Sequence, residues 1–173
     1  FLQQPEWAGL HNTKFIEYAN ADENTRASMS GVWRLPDWAR KEVEAALRDP
    51  AACTKLELHK HRGKDPITSL PAAFGQLTAL TTLTLGYNQL AALPDAFGQL
   101  TALKRLYLTG NQLASLPAAF GQLTALTELH LYNNQLASLP DAFGQLTALT
   151  ELNLYNNQLA SLPAAFFQLA ALT

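Results

Sequence analysis

The chain has 173 residues, of which 48% are hydrophobic and 15% charged, so it can build a sizeable core and is not a disordered polymer. Its formal charge of −2 gives no positive excess that would indicate nucleic acid as a partner. The single cysteine excludes an intrachain disulfide and a cysteine-rich zinc site, which favours a reducing compartment such as the cytoplasm. No apolar run reaches the roughly 18 residues of a membrane span.

Residues 1–52 are predicted to form a helical N-terminal cap. Apolar residues at helical spacing predict a first helix over 5–20. Ala39, Val43 and Ala46 predict a second helix that begins near Pro36. The tryptophans of the chain all lie in this region, and we interpret them as packing residues of the cap: Trp7, Trp33 and Trp38.

Residues 53–69 are predicted to contain a degenerate first strand and an inserted basic loop. Leu56 and Leu58 form an L-x-L strand motif, in which alternating side chains point to opposite faces. The next apolar anchor, Ile67, comes four residues later than its counterparts further along the chain. Residues 59–66 should therefore protrude, and this basic loop is a second candidate binding site through Lys60, His61, Arg62 and Lys64.

Residues 70–173 repeat with a period of 23 residues, in four full units and a partial fifth. Each full unit reads L-P-[AD]-A-F-G-Q-L-T-A-L-x-x-L-x-L-x-x-N-Q-L-A-x. One L-x-L strand cannot bury its apolar side alone, but stacked units pool their leucines into a continuous core. We expect the asparagine to satisfy buried backbone groups, and the phenylalanines to form a second internal column: Phe74, Phe97, Phe120, Phe143 and Phe166.

The repeats resemble the leucine-rich repeat family, whose L-x-x-L-x-L-x-x-N-x-L motif is met four times in register. The first match consists of Leu80, Leu83, Leu85, Asn88 and Leu90. The 23-residue unit with its L-P start is similar to the class found in bacterial and intracellular members. The resemblance implies an α/β solenoid with a parallel sheet on the concave side and short helical turns on the convex side. The helical cap is similar in arrangement to that of bacterial secreted effectors, which adds a host cell to the candidate locations.

No catalytic motif is present, and we expect no enzymatic activity, cofactor or metal in this chain. Cys53, His59, His61 and Asp65 are the cluster of metal-ligand residue types visible in the sequence, but their spacing fits no zinc motif. Cys53 occupies the first apolar position of the strand motif. We interpret it as a buried small hydrophobe rather than a nucleophile.

Binding residues are expected on the outward strand positions, where side chains are free of the core. The columns there vary while the framework repeats, and Thr109 is one of the outward positions predicted to tolerate substitution. Glu128 and Glu151 should be adjacent and repel each other, with Arg105 relieving one of them. The predicted site comprises Arg105, Tyr107, Glu128, His130, Tyr132, Glu151, Asn153 and Tyr155.

The resulting functional hypothesis is a monomeric, non-catalytic domain that binds a protein partner on its concave face, within a larger bacterial effector or signalling protein. The alternative is the substrate-recognition part of a multidomain enzyme, such as an effector ubiquitin ligase with its catalytic domain elsewhere. The last unit ends before its own L-x-L strand, and Phe167 and Ala170 replace the glycine and threonine of earlier units. We therefore expect the natural chain to continue into a capping element.

Overall fold

The computed structural model describes residues 35–172. The predicted helix over 5–20 and two of the tryptophans, Trp7 and Trp33, lie outside the described residues. One α-helix, α1, is followed by five strands, which are α1 Asp37–Arg48, β1 Lys55–Glu57, β2 Thr82–Thr84, β3 Arg105–Tyr107, β4 Glu128–His130 and β5 Glu151–Asn153. Short 3-10 helices alternate with the strands at Ala72–Gln76, Asp95–Gln99, Ala118–Gln122, Asp141–Gln145 and Ala164–Gln168.

Helix α1 confirms the predicted second helix and begins directly after Pro36. It buries one apolar stripe, consisting of Ala39, Val43 and Ala46, at the spacing that brings side chains onto one helical face. Trp38 and Leu47 pack against the same core as the repeats. The helix therefore joins the core at the N-terminal side of the sheet.

The five strands form one parallel sheet in the order β1-β2-β3-β4-β5. Each strand pairs with the equivalent residues of the next unit, so the central leucines fall into one column: Leu56, Leu83, Leu106, Leu129 and Leu152. Because the sequence period sets the register, every inward side chain meets its own counterpart. The predicted α/β solenoid with a parallel sheet and short helical turns is confirmed.

The phenylalanines form the predicted second column behind the sheet. Neighbouring rings are nearly parallel, with centroids 6.4 Å apart for Phe97 and Phe120, and 6.3 Å apart for Phe120 and Phe143. The series continues to Phe166 at 6.2 Å. Phe74, at the start of the column, is fully buried. The core is thus a leucine layer under the strands and an aromatic layer under the 3-10 helices.

The 3-10 helices stack closely because a glycine faces the next unit. A methyl group built on Gly121 would lie 2.4 Å from the carbonyl oxygen of Ala142, and one on Gly98 would lie 2.5 Å from that of Ala119. In the last unit this position is Phe167, which is 84% exposed. A further turn could not stack on Phe167 at the spacing found between the earlier units.

The asparagine after each strand has the structural role that the sequence predicted. The side-chain oxygen of Asn111 accepts a hydrogen bond from the Leu90 amide at 3.0 Å. Its amide nitrogen donates to the carbonyls of Leu85 at 3.0 Å and Leu108 at 2.9 Å. The same pattern recurs at Asn88, Asn134 and Asn157. One side chain per unit therefore satisfies three backbone groups of the coil.

Candidate functional site

The outer face of the sheet carries two side chains from each strand, and these differ in chemistry from strand to strand. They are Lys55 and Glu57, Thr82 and Thr84, Arg105 and Tyr107, Glu128 and His130, and Glu151 and Asn153. The leucine between each pair points into the core. The sequence prediction placed the binding residues on this outer sheet face, which the family resemblance assigns to the concave side.

Four aromatic residues of the predicted site, which we call the tyrosine patch, are expected to lie side by side, and three of them are in contact. The patch consists of Tyr107, His130, Tyr132 and Tyr155. The Tyr107 and His130 rings meet edge to face with centroids 5.2 Å apart, and His130 and Tyr132 are tilted at 6.3 Å. Tyr155 is 78% exposed, and within residues 35–172 it makes no ring contact with the other three. The patch therefore consists of three rings in contact, on or after β3 and β4, and one isolated ring.

Tyr87 extends the patch and was missed by the sequence prediction. It is 59% exposed, and a hydrogen bond with Tyr132 raises the pKa of Tyr87. Its φ of 58° is left-handed, as at Gly110, Asn133 and Asn156 in the same position of the following units. Glycine and asparagine suit this conformation, whereas tyrosine rarely adopts it. The sequence could have indicated Tyr87, because it is a tyrosine at a repeat position that glycine or asparagine occupies in the other units.

Two carboxylates converge on the His130 imidazole. Its Nε2 lies 3.2 Å from Glu128 Oε1 and 3.1 Å from Glu151 Oε1. Tyr107 bonds to Glu128, and burial followed by this hydrogen bond raises the pKa of Tyr107. We call Glu128, His130 and Glu151 the carboxylate–histidine cluster. The sequence prediction named all three residues but did not foresee that they form one group.

Arg105 lies opposite Glu128 in the strand register, but within residues 35–172 it forms no ion pair with that glutamate. Its guanidinium donates to the Thr82 hydroxyl at 3.3 Å, on the neighbouring strand away from Glu128. The imidazole of His130 lies between Glu128 and Glu151 instead. The hydrogen bond to Thr82 directs the Arg105 guanidinium towards β2, whereas the carboxylate–histidine cluster lies on β4 and β5.

Two burial predictions are corrected by the structure. Thr109, expected to be an outward position, is only 5% exposed, and its carbonyl accepts a hydrogen bond from the Tyr87 amide at 2.7 Å. Cys53, expected to be buried, is half-buried, with its Sγ 3.8 Å from the Lys55 carbonyl oxygen. Partial burial nonetheless raises the pKa of the Cys53 thiol, which opposes a nucleophilic role.

Residues 61–65 of the basic loop are exposed, and both ends of the loop are anchored. At the N-terminal end the Lys60 amide donates to the Gly86 carbonyl at 3.0 Å. Trp38 Nε1 donates to the Asp65 carbonyl at 3.0 Å, and Lys64 Nζ lies 5.0 Å from the centre of the Trp38 ring. The Ile67 amide bonds to the side chain of Asn88, so Ile67 resumes the repeat register. Helix α1 therefore holds the C-terminal end of the loop, and of the loop's cationic side chains Lys64 lies beside this helix.

The N-terminal residues of metal-ligand type, for which the sequence analysis expected no metal, include one pair of histidines in contact. The His59 and His61 rings are tilted by 59°, with their centroids 4.2 Å apart. Within the part of the chain that the structure describes, the group of three potential ligands is the carboxylate–histidine cluster, not one containing Cys53 or Asp65. The strand register, and not the spacing along the chain, brings the ligand atoms of this cluster together.

These features define a class: a solenoid of stacked repeats with an open, chemically varied sheet face. Models described as leucine rich repeat match residues 66–113 and 92–136, and a model of two leucine rich repeat copies matches 124–168. The matches span more than half of the chain, which belongs to the leucine-rich repeat family. Leucine-rich repeats generally mediate protein–protein interaction and are typically non-catalytic.

A solved leucine-rich repeat protein of Leptospira interrogans is similar in sequence and structure. It is 36% identical with a TM-score of 0.59, over 77% of this chain and 39% of the other. The chain therefore spans well under half the length of that protein. A search of curated proteins gives no match. Among residues 35–172, no helix has the length and apolar character needed to cross a membrane.

Proposed function

We propose that this chain is a non-catalytic protein-recognition domain that binds its partner through the outer sheet face around the tyrosine patch. The contact between Tyr107, His130 and Tyr132 carries the proposal. These rings are held on or directly after β3 and β4, so they lose little conformational freedom on binding. Rigid aromatic side chains are frequent anchors of protein interfaces.

The charge on this face favours a partner segment with basic groups. Glu151 is largely exposed beside the rings, and Glu128 lies behind it against His130. The two carboxylates increase the association rate of a cationic partner more than its affinity. We expect the glutamates to govern salt dependence, and the tyrosines to supply most of the binding free energy.

We further propose that the domain acts as a monomer in a larger bacterial effector or signalling protein. The Leptospira relative supports a bacterial setting, and its greater length accords with a repeat region inside a larger chain. The alternative is that the chain is the substrate-recognition part of a multidomain enzyme, such as an effector ubiquitin ligase. The complete open reading frame tests both, since either architecture places a further domain on the same polypeptide.

The recognition proposal is tested by capture of proteins from cell extract on immobilised wild-type chain and two variants. Tyr107→Ala/Tyr132→Ala should weaken binding of the captured partner by about 2 kcal/mol for each ring removed, which is roughly a thirtyfold loss of affinity each. The matched control neutralises the basic loop through Lys60→Ser/Arg62→Ser/Lys64→Ser, and it should retain binding. Circular dichroism establishes that both variants fold. Binding that survives the tyrosine change and is lost with the loop change contradicts the proposed face.

A further inference from the structure

From its geometry we infer that the carboxylate–histidine cluster is a binding site for a divalent transition-metal cation of the zinc type. Its three potential ligand atoms all lie within 4.8 Å of one another. Two of these distances, from His130 Nε2 to Glu128 Oε1 and to Glu151 Oε1, are 3.2 and 3.1 Å. Ligand atoms of a tetrahedral zinc site with bonds of about 2.1 Å are separated by about 3.4 Å. Only a small adjustment of the side chains would therefore bring all three atoms onto one cation.

The Nε2 atom of His130 has two hydrogen-bond acceptors beside it but can donate only one proton. A carboxylate oxygen from each of two strands lies against it. No Lys or Arg ion pair with Glu128 or Glu151 is present within residues 35–172. A divalent cation would take a lone pair from each of the three groups and offset both negative charges.

The cluster stands on rigid elements, as a metal site requires. Glu128 and His130 lie on β4 and Glu151 lies on β5, in adjacent register positions of one parallel sheet. The side chain of Tyr107, on the neighbouring strand β3, also interacts with the Glu128 carboxylate. Such outer contacts orient a ligand and increase its metal affinity.

The donor set selects the class of cation. One imidazole nitrogen and two carboxylates suit zinc and its neighbours, whereas magnesium prefers an all-oxygen octahedron and retains its waters. Three protein ligands leave a fourth position, which is open to water or to a side chain of a partner because the cluster faces outward. The site therefore lies inside the outer sheet face, beside the tyrosine patch.

Calorimetric titration of the untagged, EDTA-treated chain with zinc chloride at neutral pH tests the site. We expect one zinc ion per chain and no response to magnesium chloride. His130→Gln and Glu151→Gln should each weaken zinc binding by about tenfold or more. Thermal melts show that these surface variants fold, and cobalt(II) absorption reports whether the coordination is tetrahedral.

The matched control removes the rival histidine pair through His59→Gln/His61→Gln, and zinc binding should be unchanged. Absence of zinc binding overturns the inference, as does binding that persists in His130→Gln or disappears in the His59/His61 control. Equal binding of magnesium overturns the assignment to a transition metal. The titration contains no protein partner, so its failure leaves the recognition proposal standing, and loss of partner capture leaves the zinc result standing.

Discussion

At the residue scale, the asparagine of each unit is the polar group on which the solenoid depends. Asn111 is buried and bonds to the backbone of its own unit and of the preceding unit. Gln112, the next residue, is exposed. Asn111 and Gln112 therefore allow the contribution of a buried carboxamide to be compared with that of an exposed one at adjacent positions.

Asn111→Ala should reduce the free energy of unfolding by about 1–3 kcal/mol. It leaves the Leu90 amide without its partner and removes one of the two side-chain donors to each of the Leu85 and Leu108 carbonyls. Urea denaturation measures the change. Gln112→Ala is the control and should stay within about 0.5 kcal/mol of wild type. Equal losses in the two variants would show that Asn111 does not carry the proposed bonds.

The chemistry of the sole thiol is also set at the residue scale. Burial raises the pKa of Cys53, and a hydrogen bond with the Lys55 backbone offsets part of this increase. A raised pKa leaves less thiolate at a given pH, and the thiolate is the reactive form. Partial exposure still permits slow access of a reagent.

Labelling of Cys53 with an aromatic disulfide should be slower in the native chain than in urea. The native rate should also rise with pH over a higher range than the denatured rate, because the folded pKa is the higher one. Absorbance of the released thiol measures both profiles. Native labelling at the denatured rate would contradict the partial burial of this side chain.

At the element scale, the packing of consecutive 3-10 helices depends on the absence of a side chain at one position. The carbonyl of the next unit occupies the space that a Cβ on Gly121 would need. Gly86, in the strand-following turn, has no atom closer than 3.5 Å to its own virtual Cβ. Packing therefore requires glycine at position 121 but not at position 86.

Gly121→Ala should destabilise the chain by about 1–3 kcal/mol, since the two units must move apart to accept the methyl group. Gly86→Ala should change stability by less than about 0.5 kcal/mol. Thermal or urea unfolding of the pair compares the two positions directly. A tolerant Gly121→Ala variant would mean that the spacing of the turns is set elsewhere.

At the scale of the whole molecule, burial is uneven along the solenoid. Leucines of the central units are fully buried, whereas Leu152, Leu154 and Leu159 of the fourth unit, which carries the edge strand β5, are only partly buried. In a solenoid each unit is stabilised by its neighbours, so a unit that is packed on one side should open more readily.

Hydrogen exchange should therefore be slower at residues 103–131 than at residues 149–172. The Leu108 amide, bonded to the His130 carbonyl at 2.8 Å, belongs to the protected set. Mass spectrometry of peptides from the two ranges measures the difference. Uniform protection across both ranges would show that the chain opens as a single cooperative unit.

The repeat sequence by itself determined the framework. The 23-residue period predicted the parallel register, the L-x-L motif predicted the buried leucine column, and both are found. The buried asparagine and the phenylalanine column followed from the same repetition. These features are predictable because each inward residue packs against the equivalent residue of the next unit. The sequence pattern of one unit therefore also identifies its tertiary contacts.

Only the tertiary structure decided how the outward side chains meet. The sequence placed Glu128, His130 and Glu151 in neighbouring columns, but side-chain rotation sent Arg105 to Thr82 and left the imidazole between the carboxylates. It also buried Thr109. Outward residues do not repeat, so their contacts depend on rotamers and on unlike neighbours 21 to 23 positions away. The repeat period determines the backbone position of such a side chain, whereas its rotamer depends on the neighbours that it contacts.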